Sequence, residues 1–432
     1  MRLWTLAAIG FGSGLLAQAP PQKIVPPPAA ASPLAIVLEP AGEMPVHVNP
    51  AAPVVAGKDL LLIDQAGSLF RWDGERVHEL LTSKTAPSAL RLIGTERLLN
   101  VAANTAGSRI YVMFLSTAVP RGTKQLPSRR VDSDAWYVLY EFTLTAGTLK
   151  EERPIVAMAV RTEGHTGGGL VMVDDRTLLF SPGDNGDSYE DGRTGAQSLA
   201  DHVSKILRID VATADVAPVA VGVRNCQRLV IYGQGEEARL VFVDPGGWVA
   251  DELNSVLVRE LVGVARPLNF GWGRAAVDGR SREGSFFIDQ VGNSVSRIPP
   301  DDAGFVRPVA EVGREGAPFL GLAGPVSSPS FQSITALVAD LVSGNVFATT
   351  RPLGERNQPV YRVGVKDATG TATTFLQVSG GKRADARFFN FPDGGAGVLF
   401  ERTGRFYRVT EAGKSGSGFS VPFRVQRSDA ER

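Results

Sequence analysis

The β-forming residues of this chain come in short runs, each closed by Gly, Asp or Asn, and the pattern recurs from about Ala56 almost to the C-terminus. Examples are DLLLIDQAGSLFRWDG (59–74), RIYVMFL (109–115), WYVLYEFTL (136–144), GLVMVDDRTLLFSPGD (169–184), KILRIDV (205–211), RLVFVD (239–244), NVFATT (345–350), PVYRVGV (359–365) and AGVLFERTGRFYRVT (396–410). Runs this short, with turn chemistry between them, predict an all-β protein. The turns Asp64–Gly67 and Asp174–Arg176 read as rungs of repeated antiparallel hairpins. One sandwich is too small for the length. A six-bladed β-propeller of four-stranded sheets, at ~60 residues per blade, is the natural solution. No strict period is visible, so length sets the blade number. One helix is predicted over 251–264, where Leu253, Val256, Leu257, Leu261 and Val264 share a face and Asp251 stands at the start.

Lys and Arg number 45 and Asp and Glu number 45, with no block of one sign. That balance argues against a nucleic-acid or anionic-membrane partner. The N-terminus has one basic residue, an apolar run from Leu3 to Ala17 and then Ala17-Gln18-Ala19. It reads as a secretory signal (1–19), too short for a membrane span. No later segment is apolar enough to cross a bilayer. Cys226 is the single cysteine, so no internal disulfide can form and a large core must hold the fold. A periplasmic or secreted location fits. Ten prolines among alanines between Pro20 and Pro53 predict an extended linker (20–55). The body then runs from 56 to 412, and the Gly/Ser-rich, charged end (413–432) predicts a disordered tail.

Nucleophile-elbow, phosphate-loop and HExxH motifs are absent, and four histidines with one cysteine make a zinc site improbable. Three segments could carry chemistry. His165 precedes Gly167, Gly168 and Gly169, which would clear space for a flat ligand beside an imidazole; the plain alternative is a turn residue. Arg224, Asn225 and Gln227 are strong hydrogen-bonding groups placed just before a strand, and the arginine fork suits a carboxylate or a quinone oxygen; the plain alternative is a surface loop with an ion pair. In VDPGGWVADELNSV (243–256), Gly246 and Gly247 offer bare carbonyls and Asp251 and Glu252 hard carboxylates, a donor set for calcium. A glycine turn into a helix with an acidic first turn explains the same residues. SPGDNGDSYEDG (181–192) misses EF-hand spacing and reads as a solvated loop.

Together these segments resemble the glucose/sorbosone dehydrogenase family, which includes the soluble aldose sugar dehydrogenases that use pyrroloquinoline quinone (PQQ). The family's His-x-Gly-Gly and following hairpin to Gly-Asp are matched by His165–Gly168 and Gly183-Asp184. Its Lys-Ile-Leu-Arg-Ile-Asp strand is Lys205–Asp210, and its Leu-Arg-Asn-Pro-Gln is Val223–Gln227. Its acidic-x-Gly-Pro-x-x-Asp-Asp-Glu is Asp244–Glu252, and its Asn-Tyr-Gly-Trp is Asn269–Trp272. Upstream, 98–114 resembles its Leu-Leu first-blade strand pair.

The resemblance implies a six-bladed propeller with the quinone on its wide face. His165 would be the general base toward a sugar hydroxyl, and Arg224 would stabilise charge gained by the quinone. Asn225, Gln227 and Arg383 would position the cofactor. Gly246 and Gly247 would bind Ca2+ at the quinone, and Glu252 with the Phe270 carbonyl a structural Ca2+. His165 and Arg224 are then expected to face each other across the propeller mouth with room for a planar guest between them. The substrate would be a small sugar or related alcohol, with the electron acceptor left open.

The chain departs from the family in several places. Thr95-Glu96-Arg97 replaces Gln-Gly-Gly, Gly247 replaces proline, and the loop between Glu252 and Phe270 is longer. The late Arg-x-Arg clamp is only approximated by Arg383 and Arg387, with Arg351 a further candidate cation. These departures motivate a second reading, a non-catalytic propeller acting as a binding module. A third, a calcium-dependent lactonase-type propeller, would call on Asp184, Asn185, Asn225 and Asn254.

Overall fold

The computed structural model describes residues 29–44 and 51–413, except 65, 83, 91, 93–97, 127–133, 161–164, 186–194, 248, 264, 274–280, 290–293, 300–303 and 314–320. The signal segment, the Thr95-Glu96-Arg97 departure, Asp187, Asp191 and residues 414–432 therefore lie outside the described residues.

The body is almost entirely β. The first sheet runs through Val54–Ala56, Asp59–Asp64, Ser68–Trp72 and Val77–Leu81. The next contains Leu98–Ala103, Arg109–Ser116, Ala135–Thr145 and Thr148–Val160, with Lys124–Leu126 at its edge. Gly167–Met172, Thr177–Pro182, Lys205–Asp210 and Asp215–Val221 follow, then Leu229–Tyr232, Arg239–Asp244, Ala250–Leu257 and Ala310–Gly313. Leu322–Val326, Ala336–Asp340, Val346–Thr349 and Tyr361–Asp367 precede the closing group Ala386–Asn390, Ala396–Phe400 and Arg405–Glu411.

The leading strands of these sheets touch in succession. Val54–Ala56 meets Leu98–Ala103, which meets Gly167–Met172, which meets Leu229–Tyr232. The circuit passes from Arg239–Asp244 to Leu322–Val326, then to Ala386–Asn390, and returns to Val54–Ala56. That is a propeller-like ring around a central channel. Aliphatic and aromatic side chains fill the wedges between sheets; Leu61, Ile63, Val112, Phe114, Val138 and Tyr140 form one such layer.

Turn chemistry repeats as the sequence predicts. Asp64 accepts the Ala66 N–H at 2.8 Å, and Asp174 accepts those of Arg176 and Thr177 at 2.8 and 2.7 Å. A short side-chain acceptor two residues back closes each hairpin.

Two expectations are overturned. The segment read as a helix, 251–264, is mostly the strand Ala250–Leu257, all eight residues buried, followed by a five-residue helix Val258–Val262. The strand is central, paired with Arg239–Asp244 on one side and Ala310–Gly313 on the other. Burial on both faces removes the two-residue alternation and leaves a helix-like scatter of apolar residues. The linker is also not all tether. Ala35–Glu43 is a strand, parallel to Tyr361–Asp367 and antiparallel to Arg405–Glu411. Its one proline, Pro40, sits where the strand tolerates it, past the residues paired with Tyr361–Asp367 and at a register shift between Pro40 and Gly42.

Ile36 and Leu38 of that strand are almost fully buried. Each contributes ~1.5–3 kcal/mol by burial, so deleting residues 1–44 should cost at least ~3 kcal/mol. Urea unfolding of the truncated and full chains measures it; equal midpoints would show that the strand is not needed for closure.

Candidate active site

His165 follows a strand end and holds a left-handed backbone, φ 49°, which non-glycine residues adopt rarely and mostly where surrounding contacts impose it. The contacts are visible. Its carbonyl lies so close to Gly183 that a Cβ there would stand 1.6 Å from the oxygen, and Gly167 (φ 64°) crowds Ser181–Gly183 in the same way. These glycines let the two antiparallel strands of one hairpin, Gly167–Met172 and Thr177–Pro182, approach closely at its open end. Space for a ligand, the reason expected from sequence, is not what fixes them.

The imidazole is held from both sides. Nδ1 is 2.8 Å from Asp184 Oδ1, and Arg224 Nη2 is 3.3 Å from Nε2. A carboxylate only accepts, so Nδ1 carries the hydrogen and Nε2 presents its lone pair. Asp184 is buried, whereas the His165 side chain is 38% exposed. Arg224 Nε also approaches Asp184 Oδ2 at 3.8 Å, its Nη1 donates to the Pro245 carbonyl at 3.1 Å, and its guanidinium lies 4.9 Å over the Trp272 ring. Asp184 thus belongs to the imidazole and is no solvated loop residue. His165 and Arg224 do share one mouth, but they touch, so no guest fits between them; the free space lies beside the pair.

Asp244 organises the Arg224 loop. Its oxygens accept the backbone N–H groups of Arg224 and Asn225, each at 2.8 Å, while Asn225 Oδ1 accepts the Gly167 N–H at 3.1 Å. Burial pushes the Asp244 carboxyl up to about 7, partly offset by these two N–H donors. The Gly246–Gly247 turn is fixed in turn by Asp251, which accepts the Gly246 N–H at 3.0 Å, and by Glu283, which accepts those of Val249 and Ala250 at 2.6 and 2.9 Å.

His165, Arg224, Asn225, Gln227, Gly247 and Arg383 all border one cavity of about 710 Å³ at the end of the channel. Arg387 borders it too, donating to Gln227 Oε1 and Glu401 Oε2, both at 3.2 Å. Arg383 is 2.9 Å from Asp385, whereas Arg351 pairs with Glu355 at 3.8 Å and does not border the cavity. Sequence reasoning missed the roles of Asp184, Asp244, Glu283 and Trp272. The Gly183-Asp184 pair after the His-x-Gly-Gly hairpin was the available signal for the first.

Glu252 and Phe270 lie away from that cavity. Glu252 is buried in a ladder position between Asp244 and Glu311 on its two neighbouring strands. Its carboxylate accepts the Gly284 N–H and, at 3.0 Å, the Asn254 amide. Phe270 is buried with its ring edge-on to Phe242, whose ladder partner is Asn254. Burial raises the Glu252 carboxyl well above its usual range, nearby Asp244 adds to this, and burial raises Glu311 as well. Three like groups across adjacent strands repel when ionised. Among the described residues the buried Asn254 Oδ1 has no hydrogen-bond partner. Hard oxygens with excess negative charge fit calcium, although no group of three or more carboxylates, His or Cys is arranged as a metal cluster among the described residues.

The sign of the pH dependence follows. A carboxyl raised in the fold binds its proton while the unfolded chain has lost it, so stability falls as pH rises from the ordinary carboxylate range through about 7. Calcium should offset the loss, raising the melting temperature by ~3–5 °C at pH 8 and little at pH 5.5. Scanning calorimetry with calcium or a chelator measures it; the same melt in both at pH 8 would rule out the cation.

No protein-family model and no curated protein matches the chain. Solved structures do. The PQQ-bound aldose sugar dehydrogenase of Streptomyces coelicolor is 16% identical, with TM-score 0.51 over 88% of this chain and 100% of that one. A putative oxidoreductase (glucose dehydrogenase) of Thermus thermophilus is 16% identical, with TM-score 0.55 over 87% and 99%. The apo soluble aldose sugar dehydrogenase of Escherichia coli is 17% identical, with TM-score 0.57 over 88% and 99%. Among the described residues no helix is long and apolar enough to cross a membrane. The chain therefore has the fold of the soluble aldose sugar dehydrogenases.

Proposed function

We propose that this chain is an exported six-bladed propeller quinoprotein that oxidises an aldose or related alcohol by hydride transfer to PQQ, with Ca2+ assisting. The observation that carries the reading is the Asp184–His165–Arg224 cluster at the mouth of a 710 Å³ cavity. Asp184 fixes the imidazole so that Nε2 accepts, and Arg224 Nη2 occupies that acceptor until a substrate hydroxyl replaces it. His165 then takes the hydroxyl proton as the adjoining carbon loses hydride. Arg224, next to the base and backed by Trp272, supplies a fixed positive charge for developing oxyanion character. Asn225 and Gln227 border the space and offer amides for orientation. PQQ supplies the two-electron acceptor, and Ca2+ near Gly246 and Gly247 supplies Lewis acidity. The N-terminal apolar run supports export. The ring of sheets, taken with length, supports the blade number.

Full-length protein incubated with PQQ and Ca2+ should reduce an artificial dye with at least one aldose from a broad panel. No turnover together with no saturable quinone binding would end this reading. It would favour the alternative, a non-catalytic binding module, which has one observation behind it. Arg224, Arg383 and Arg387 are each already matched to Asp184, Asp385 and Glu401.

A further inference from the structure

The same cavity has a fourth arginine with no such match. Arg228 borders it, and also borders a second cavity of about 480 Å³ further along the channel, which Asn100, Tyr232 and Asn390 help to line. Arg228 is thus shared by both linings, as Ala52 is. Its Nη1 donates to the carbonyls of Pro325, at 2.9 Å, and Phe388. These lie on Leu322–Val326 and Ala386–Asn390, strands that also touch each other, so the guanidinium ties the segment before Leu229–Tyr232 to both. Among the described residues no carboxylate pairs with it, and burial lowers its pKa to about 10. Two carbonyl dipoles satisfy only part of a five-donor fork. A half-buried cation without a counter-ion is costly unless something else neutralises it.

We propose that Arg228 is the anion anchor of the wide-end cavity, receiving a carboxylate of the bound ligand through its remaining guanidinium N–H groups. The other three cavity arginines would have to give up an acidic partner to do this; Arg228 does not. It also borders the second cavity, so a ligand carboxylate at Arg228 and a reacting group at His165 and Arg224 would fix the molecule at two points of the first. The identification of that ligand with PQQ rests on the proposed function. The anchoring role itself requires only a carboxylate-bearing guest.

The test uses the full chain with Arg228→Met, which keeps length without charge, and Arg228→Lys, which keeps charge without the fork. PQQ is titrated into each and followed by absorbance. Losing a charge-assisted pair should weaken binding by ~10–100-fold in Arg228→Met, with Arg228→Lys recovering part of it. Arg228→Met should melt no lower than the parent when unliganded, since it removes an uncompensated charge, and its affinity should depend less on salt. Binding within two-fold of the parent would overturn the anchor.

Benzene-1,3,5-tricarboxylate, which is redox-inert, separates the two ideas. If the parent fails to bind PQQ but binds the tricarboxylate, and Arg228→Met does not, the quinone reading fails and the anchor stands. Equal tricarboxylate affinity in parent and Arg228→Met overturns the anchor whatever the quinone does. If Arg228→Met does not fold, Arg228→Lys carries the comparison, with unchanged affinity counting against the fork.

Discussion

Replacing His165 with alanine should lower kcat for sugar oxidation by ~10²–10⁴-fold, the range a positioned general base contributes. Quinone affinity should change far less, because Arg224, Asn225 and the remaining cavity lining stay in place. The Nδ1–Asp184 contact makes a companion variant informative. Asp184→Asn keeps the shape but can place a donor opposite Nδ1, turning the ring toward the wrong tautomer. Its loss should appear in kcat, with the melting temperature close to that of the parent. Steady-state dye reduction across sugar concentrations, together with a quinone titration, measures both. His165→Ala with unaltered turnover would remove the base from this site and leave the cavity as a binding feature only.

The second large effect is structural. Gly183→Ala should destabilise the fold by ~3 kcal/mol or more, because the added methyl would overlap the His165 carbonyl carbon and oxygen, at 2.5 and 1.6 Å. Both contacts are backbone, so no side-chain rotation relieves them. Gly168→Ala makes the contrast: its Cβ would meet only Leu99, no closer than 3.7 Å, so its φ of 113° is the main cost, ~1–3 kcal/mol. Thermal or urea unfolding ranks the pair. If Gly183→Ala is the milder change, the two arms of the hairpin do not approach as closely as described.

These glycines mark the limit of what sequence can say. His165 beside glycines is legible as a special place, and so are Arg224, Asn225 and Gln227 before a strand. All of them border one cavity. Why the glycines are needed is not legible, because it depends on how closely Ser181–Gly183 packs against Gly167 and the His165 carbonyl across the hairpin. Asp184 was misread for a similar reason. In one dimension it belongs to an acidic loop, and only the hairpin Gly167–Pro182 brings it back to His165.

The strand architecture was readable because short runs and Asx turns are local properties. The helix over 251–264 failed where tertiary burial on both faces erased the strand period and left Asp251 and Glu252 looking like first-turn acids. Arg228 passed unnoticed beside Gln227, since lacking a counter-ion is a property of surroundings rather than of sequence.

The strand Ala35–Glu43 has a consequence for how the molecule is made. It completes the group built from Ala386–Asn390, Ala396–Phe400 and Arg405–Glu411, so among the described residues the earliest-synthesised strand waits for the last. Until Arg405–Glu411 emerges, both flanks of the unfinished circle are open ladders, able to capture another chain. Closure is thus a late, long-range event with a large loop entropy. A chain held extended until its synthesis ends avoids that hazard.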